Sequence, residues 1–138
     1  MDFKKLKVLL IEDDTIEVMK LKRAISKLEM PHDIIEAKNG EEALDLLKDS
    51  SSLPDLILLD LNMPRINGVE FLKILKNDAF MRFLPVVILT TSGNRNDVLE
   101  CYKAGVAGYI LKPLKYEDYV HKINLALSYW STNELIKG

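Results

Sequence analysis

Cysteine is nearly absent: Cys101 is the single thiol of the chain, so no intramolecular disulfide can form and a reducing compartment is compatible with the sequence. There are two histidines, His32 and His121, and no CxxC spacing, which leaves no zinc pattern. Long hydrophobic runs are missing too. The apolar stretch 8–11 that follows the basic Lys4-Lys5 pair is too short for a signal-peptide core or a membrane span, so a cytoplasmic protein is expected. An excess of one charge is also lacking. The 19 basic residues face 21 acidic ones, giving a formal charge of -2 with no run of five like charges. Nothing here attracts nucleic acid or an anionic membrane. Internal repeats and low-complexity linkers are absent; Asp49-Ser50-Ser51-Ser52 reads only as a polar loop.

What is present is enough for one core. The chain has 138 residues, 48 % hydrophobic and 29 % charged, a composition that folds as a single domain rather than remaining disordered. Apolar or β-branched runs at 6–11, 34–37, 56–59, 86–90 and 109–111 read as strands. Those at 7–11, 56–59 and 86–89 are continuous rather than alternating, which is the pattern of parallel strands covered on both faces.

Between the strands the period becomes helical. Val18, Leu21, Ala24, Ile25 and Leu28 form the stripe of a first helix. Asn39-Gly40 opens a second with Ala43, Leu44, Leu46 and Leu47, and Phe71, Leu72, Ile74 and Leu75 mark a third after Gly68. A weaker pattern through Val98, Leu99 and Tyr102 predicts a fourth helix over 97–104, and Tyr116, Tyr119, Val120, Ile123, Ala126, Leu127 and Trp130 give a fifth. Alternating strands and helices imply an α/β fold with a parallel sheet between two helical layers. Ligands of such sheets bind beyond the carboxyl ends of the strands.

Those strand ends carry Glu12-Asp13-Asp14, Asp60, Thr90 and Lys112. Carboxylates gathered in one cleft raise one another's pKa unless a cation intervenes. Mg²⁺ suits an all-oxygen set that takes one or two carboxylates and keeps several waters. A carboxylate beside such an ion can attack phosphorus to form an aspartyl phosphate. Asp60, at the end of the central strand and followed by Leu61-Asn62-Met63-Pro64, is the natural nucleophile. Thr90 offers a hydroxyl and Lys112 a point charge to the phosphoryl oxygens. Each residue alone has a plainer reading: the acids as helix caps, Asp60 as a turn residue, Thr90 as an ordinary strand residue, Lys112 as a surface lysine. Their joint placement at four strand ends favours the chemical one.

The runs Val8-Leu9-Leu10-Ile11-Glu12-Asp13-Asp14, Asp55-Leu56-Ile57-Leu58-Leu59-Asp60-Leu61-Asn62-Met63-Pro64, Gly68, Leu89-Thr90-Thr91 and Lys112-Pro113 together resemble the receiver domain of bacterial two-component response regulators. The resemblance spans residues 5–127 and leaves 128–138 as a C-terminal helical extension. It implies a five-stranded sheet of order 2-1-3-4-5 flanked by five helices. It implies phosphorylation of Asp60 by a histidine kinase or phosphotransfer protein, with Asp13 a direct Mg²⁺ ligand. Glu12 would hold metal-bound water in place of the aspartate often found there, and Asn62 would offer its carbonyl to the ion. Thr90 and Lys112 would contact the acyl phosphate, and Pro113 would follow a cis peptide bond. Tyr109 would change rotamer as Thr90 moves, with Ser92-Gly93-Asn94 as the flexible segment.

The tail Ser128-Tyr129-Trp130-Ser131 resembles that of single-domain responders associated with bacterial phytochrome kinases, which implies a homodimer. Trp130 could instead pin the C-terminus to its own core. With no effector sequence in the chain, output to a protein target is expected through the fourth helix, fifth strand and fifth helix. Two rivals share the acid after a parallel strand. A haloacid-dehalogenase phosphatase needs a second aspartate where Asn62 stands, and an interaction module without phosphorylation would lose part of the acid and lysine set. A flavodoxin-like FMN carrier fails because Glu12-Asp13-Asp14 would repel its phosphate.

Overall fold

A computed structural model describes residues 4–29, 31–49 and 53–136; Ser50, Ser51 and Ser52 of the expected polar loop lie outside them. In chain order the elements are β1 (Lys7–Ile11), α1 (Thr15–Ser26), β2 (Asp33–Ala37), α2 (Gly40–Lys48) and β3 (Leu56–Leu59). They continue with α3 (Gly68–Lys76), a 3-10 turn (Met81–Phe83), β4 (Val86–Thr90), α4 (Arg95–Lys103), β5 (Gly108–Leu111) and α5 (Tyr116–Ser131). All neighbouring strands pair in parallel, in the order β2-β1-β3-β4-β5, as the resemblance implied.

The continuous apolar strands are explained by the two faces they serve. Leu9, Ile11, Ile57, Leu59 and Ile88 point into one core with α2, α3 and α4, whereas Val8, Leu10, Leu56, Leu58, Val87 and Leu89 point into a second with α1 and α5. Alternate side chains leave opposite faces of a strand, so a strand buried on both sides must be apolar throughout. The edge strand β2 shows the contrast: Asp33 and Glu36 are exposed and only Ala37 is buried.

Helix starts follow local capping chemistry. The side chains of Asn39, Asn67 and Asn94 accept from the backbone N–H of Glu42, Glu70 and Asn96, satisfying donors that the first turn leaves unpaired. Asp14 does the same for Ile16. The stripe of α1 is buried at Val18, Leu21, Ala24 and Ile25, while Leu28 falls just beyond the C-cap Lys27 and is half-buried.

Helix α4 differs from its expected form. It starts at Arg95, and its buried residue is Cys101. Leu99 and Tyr102 face outward at 47 % and 51 % exposure. The apolar stripe read from the sequence is therefore largely its solvent side. The peptide bond before Pro113 also corrects an expectation: no peptide bond among the described residues is cis. Trans is the lower-energy isomer of an X–Pro bond by about 0.5–1 kcal/mol, and here the Lys112 N–H extends the β4–β5 pairing by donating to the Thr90 carbonyl at 2.8 Å.

Candidate functional site

The carboxyl ends of β1, β3, β4 and β5 deliver Glu12, Asp60, Thr90 and Lys112 to one edge of the sheet. Backbone bonds extend the parallel pairing to this edge: the Asp60 N–H donates to the Ile11 carbonyl at 3.1 Å, holding the ends of β3 and β1 side by side, and the Glu12 N–H donates to the Ala37 carbonyl of β2 at 3.0 Å. The start of α3 is pressed against the same place. A Cβ on Gly68 would lie 2.9 Å from the Leu61 Cα and 3.0 Å from the Asp60 carbonyl oxygen, so only glycine lets the helix approach the Asp60 turn this closely.

Carboxylate oxygens of Glu12, Asp13 and Asp60 all lie within 4.8 Å of one another. Glu12 is buried, Asp60 half-buried and Asp13 exposed, so the cluster opens to solvent on one side. Burial pushes Glu12 up to about 7, helped by the Asp60 charge and opposed by Lys112. Asp60 is likewise raised, first by burial and also by Asp13, against the pull of Lys112 and of hydrogen bonds with Glu12 and the Asn62 N–H. Acids held above their usual range by a shared site are short of positive charge. Three hard oxygen donors with one open side and no sulfur or imidazole fit a hard divalent cation.

Lys112 supplies part of the missing charge. Its ammonium lies 3.1 Å from Glu12 Oε1 and 3.1 Å from Glu17 Oε2, with the side chain 8 % exposed. Burial alone would lower its pKa, but Glu12 and Glu17 outweigh that and raise it. Thr90 is buried beside this edge, and its Oγ1 accepts from the Ser92 N–H at 3.3 Å. Tyr109 is half-buried against the core formed with α4, with its hydroxyl directed to the Ser92 carbonyl.

Of the residues expected from the sequence, Glu12, Asp13, Asp60 and Lys112 form one charged cluster, whereas Asp14 serves as the N-cap of α1. Asn62 is exposed in the β3–α3 loop. Glu17 was not anticipated. It follows Asp13 by four residues in the first turn of α1, where an acid reads simply as a partner of the helix dipole.

The pattern of the response regulator receiver domain matches residues 8–124. The response regulator Rcp1 of Synechocystis is 31 % identical over 128 residues, 89 % of this chain and 87 % of Rcp1. The chemotaxis protein CheY1 of Helicobacter pylori is 30 % identical over 122 residues, covering 88 % of this chain and 97 % of CheY1. Among solved structures, the phosphorylated cyanobacterial phytochrome response regulator RcpA superposes with a TM-score of 0.88 at 32 % identity over 95 % of this chain and 98 % of that one. Rcp1 in its Mn²⁺-bound form gives 0.85 at 31 %, over 95 % and 99 % of the two chains. With its parallel 2-1-3-4-5 sheet and its acids and lysine at the strand ends, the chain belongs to the response regulator receiver domain family, the phosphoacceptor signalling proteins of two-component phosphorelays.

Proposed function

We propose that Asp60 is the phosphoacceptor, that the reaction is Mg²⁺-dependent, and that the donor is a histidine kinase or phosphotransfer protein. The single observation that carries this reading is the meeting of Glu12, Asp13 and Asp60 within 4.8 Å, beside a lysine only 8 % exposed. Asp13, Asp60 and the Asn62 carbonyl would hold Mg²⁺ with Glu12 fixing its water, and the bound ion supplies charge against the phosphoryl oxygens. An Asp60 oxygen attacks the phosphorus of the donor phosphohistidine. The P–N bond breaks with its electrons remaining on the imidazole, which takes a proton from water. Lys112 and the Thr90 hydroxyl then contact the transferred oxygens.

Residues 5–127 form the receiver unit and 128–138 its extension. The signal leaves through α4, β5 and α5 toward a protein target, in the cytoplasm and without contact to nucleic acid or membrane. Leu111 on β5 and Leu125 on α5 border a groove of about 460 Å³ there, lined also by Tyr109 and Lys122, and Leu125 and Tyr129 are 57 % and 60 % exposed. Such apolar and aromatic exposure favours an interface, including a homodimer through α5. Radiolabelled acetyl phosphate with Mg²⁺ tests the acceptor: wild type takes up label and Asp60→Asn does not. Label retained by Asp60→Asn removes Asp60 from the role.

A further inference from the structure

The Lys112 ammonium is held on the α1 side of the site by two acids that have unequal alternatives. Glu12 belongs to the cluster with Asp13 and Asp60. Glu17 stands apart from that cluster, in the first turn of α1, and its ion pair is with Lys112 at 3.1 Å. The Glu17 Oε2 atom is closed off from solvent and has no well-aligned hydrogen bond among the described residues, so the lysine charge is what compensates it. The buried phenol of Tyr119 stands near enough to Glu17 and Glu12 to be raised by both, after burial itself, and a neutral phenol supplies no charge in Lys112's place.

We infer that Glu17 is a positioning residue that restrains Lys112 on the α1 side and so opposes its movement to a phosphoryl group on Asp60. The inference rests on the reading of Asp60 as phosphoacceptor. An ammonium has three protons to donate, and here it lies against two carboxylates 3.1 Å away. With Glu12 engaged in fixing the water of a bound cation, Glu17 would be the remaining competitor for the lysine. If Lys112 turns fully toward phosphoryl oxygens, the half-buried Glu17, with its Oε2 shut off from solvent, loses its compensating charge, which is costly. The phosphorylated state is therefore weakened by the amount that Glu17 must give up. Neutralising Glu17 removes this competition while Asp60, Thr90 and Lys112 themselves stay unaltered.

The test uses beryllofluoride with Mg²⁺ as the phosphoryl analogue, titrated by calorimetry into wild type, Glu17→Gln, Glu17→Asp and Asp60→Asn. Glu17→Gln is expected to bind the analogue about tenfold more tightly, the scale of one charge-assisted contact. Glu17→Asp, which keeps the charge but withdraws it by one methylene, falls between that variant and wild type and serves if Glu17→Gln does not fold. In ¹⁵N spectra the Lys112 ammonium signal, sheltered in wild type, broadens through solvent exchange in Glu17→Gln. A purely structural Glu17 would lower the melting temperature on substitution and leave analogue affinity unchanged or weaker, and that result overturns the inference while Asp60→Asn remains silent. If Asp60→Asn binds the analogue as wild type does, the Asp60 reading falls and the inference falls with it.

Discussion

Tyr109 on β5 donates its phenolic hydrogen to the backbone carbonyl of Ser92 at 2.7 Å, tying the edge strand to the loop that leaves β4. The Ser92 N–H in turn donates to Thr90 Oγ1 at 3.3 Å, and the Ser92 hydroxyl donates to Asp97 of α4 at 2.5 Å. Ser92 thus connects the strand-end hydroxyl, the aromatic and α4. On the proposed reading, a movement of Thr90 toward a phosphoryl oxygen would take an acceptor from Ser92, and Tyr109 and α4 would be the groups to feel it first.

Tyr109→Phe keeps the ring and deletes this one donor. The expected loss is about 1 kcal/mol in urea unfolding, with faster amide exchange confined to residues 91–94. Unchanged exchange in that loop would show that the phenol does not restrain it.

Cation binding should depend on pH in a definite direction. Glu12 is raised from 4.5 to about 7. In the metal-free protein its protonated form contributes stability that is complete below the unfolded value of 4.5 and is lost as pH rises through about 7. A divalent ion needs the carboxylate, so Mg²⁺ affinity is expected to climb from about pH 6 to about pH 8, with proton release on binding near neutrality. Calorimetry in two buffers of different ionisation enthalpy measures the release. Equal heats in both buffers would refute it, and Glu12→Gln should show a much flatter pH profile.

His32 sets an acid limit at the opposite end of the sheet. Its Nδ1 accepts the Leu6 N–H at 2.9 Å, and burial lowers its pKa despite the nearby Asp33 charge. A depressed folded pKa means that its contribution is present above 6.5 and is lost as pH falls through the folded value. Stability should therefore drop as pH falls below 6.5, and His32→Asn, without an imidazole to protonate, should lack that part of the slope. Parallel urea midpoints for the two proteins across this range would show the histidine to be irrelevant.

The fold was legible where a single physical rule decides. Strands buried on two faces must be apolar throughout, and Val8 to Ile11 and Leu56 to Leu59 obey that without ambiguity. Helix α4 was less legible because exposed Leu99 and Tyr102 imitate a core stripe while the residue that packs inward is Cys101. The 3-10 turn after α3 left no pattern, since it is held by Asp78 accepting from Phe80 and Met81 rather than by periodicity. At the site, strand ends revealed which groups converge. They could not reveal that Lys112 reaches across to Glu17, because that contact depends on how α1 packs with α5 against the sheet and not on any spacing.

Arg65, in the loop between β3 and α3, has φ 67°, a left-handed backbone that costs a residue with a Cβ about 1–2 kcal/mol. Its ion pair with Glu41 is at 3.1 Å between side chains that are 67 % and 51 % exposed, and exposed pairs contribute little. Arg65→Gly relieves the backbone at the expense of that weak pair and of chain entropy in the unfolded state. A net gain of about 0.5–1 kcal/mol in urea unfolding is expected. A loss of stability would mean that the Glu41 contact outweighs the backbone.

The two aromatics at the end of α5 separate the roles that the sequence assigned jointly. Trp130 packs against the core shared by α1 and α5, and the Lys4 N–H donates to the carbonyl of the next residue, Ser131, at 3.0 Å. Tyr129 meets the Trp130 ring edge-on at 5.2 Å yet is 60 % exposed. Substituting Trp130 thus removes core packing, at a cost of about 2 kcal/mol or more, and any accompanying loss of association would follow from the disturbed helix. Tyr129 is the residue whose removal tests the surface itself. If α5 pairs two copies, an exposed aromatic beside Leu125 is the anchor that such a symmetric contact would bury. Sedimentation equilibrium of wild type, Tyr129→Ala and Trp130→Ala, each with and without beryllofluoride, separates the cases. Tyr129→Ala should weaken the dimer about tenfold or more with its melting temperature nearly unchanged, whereas Trp130→Ala should melt earlier. A wild-type protein that remains monomeric in every condition would eliminate the homodimer and leave a different protein as the occupant of this face.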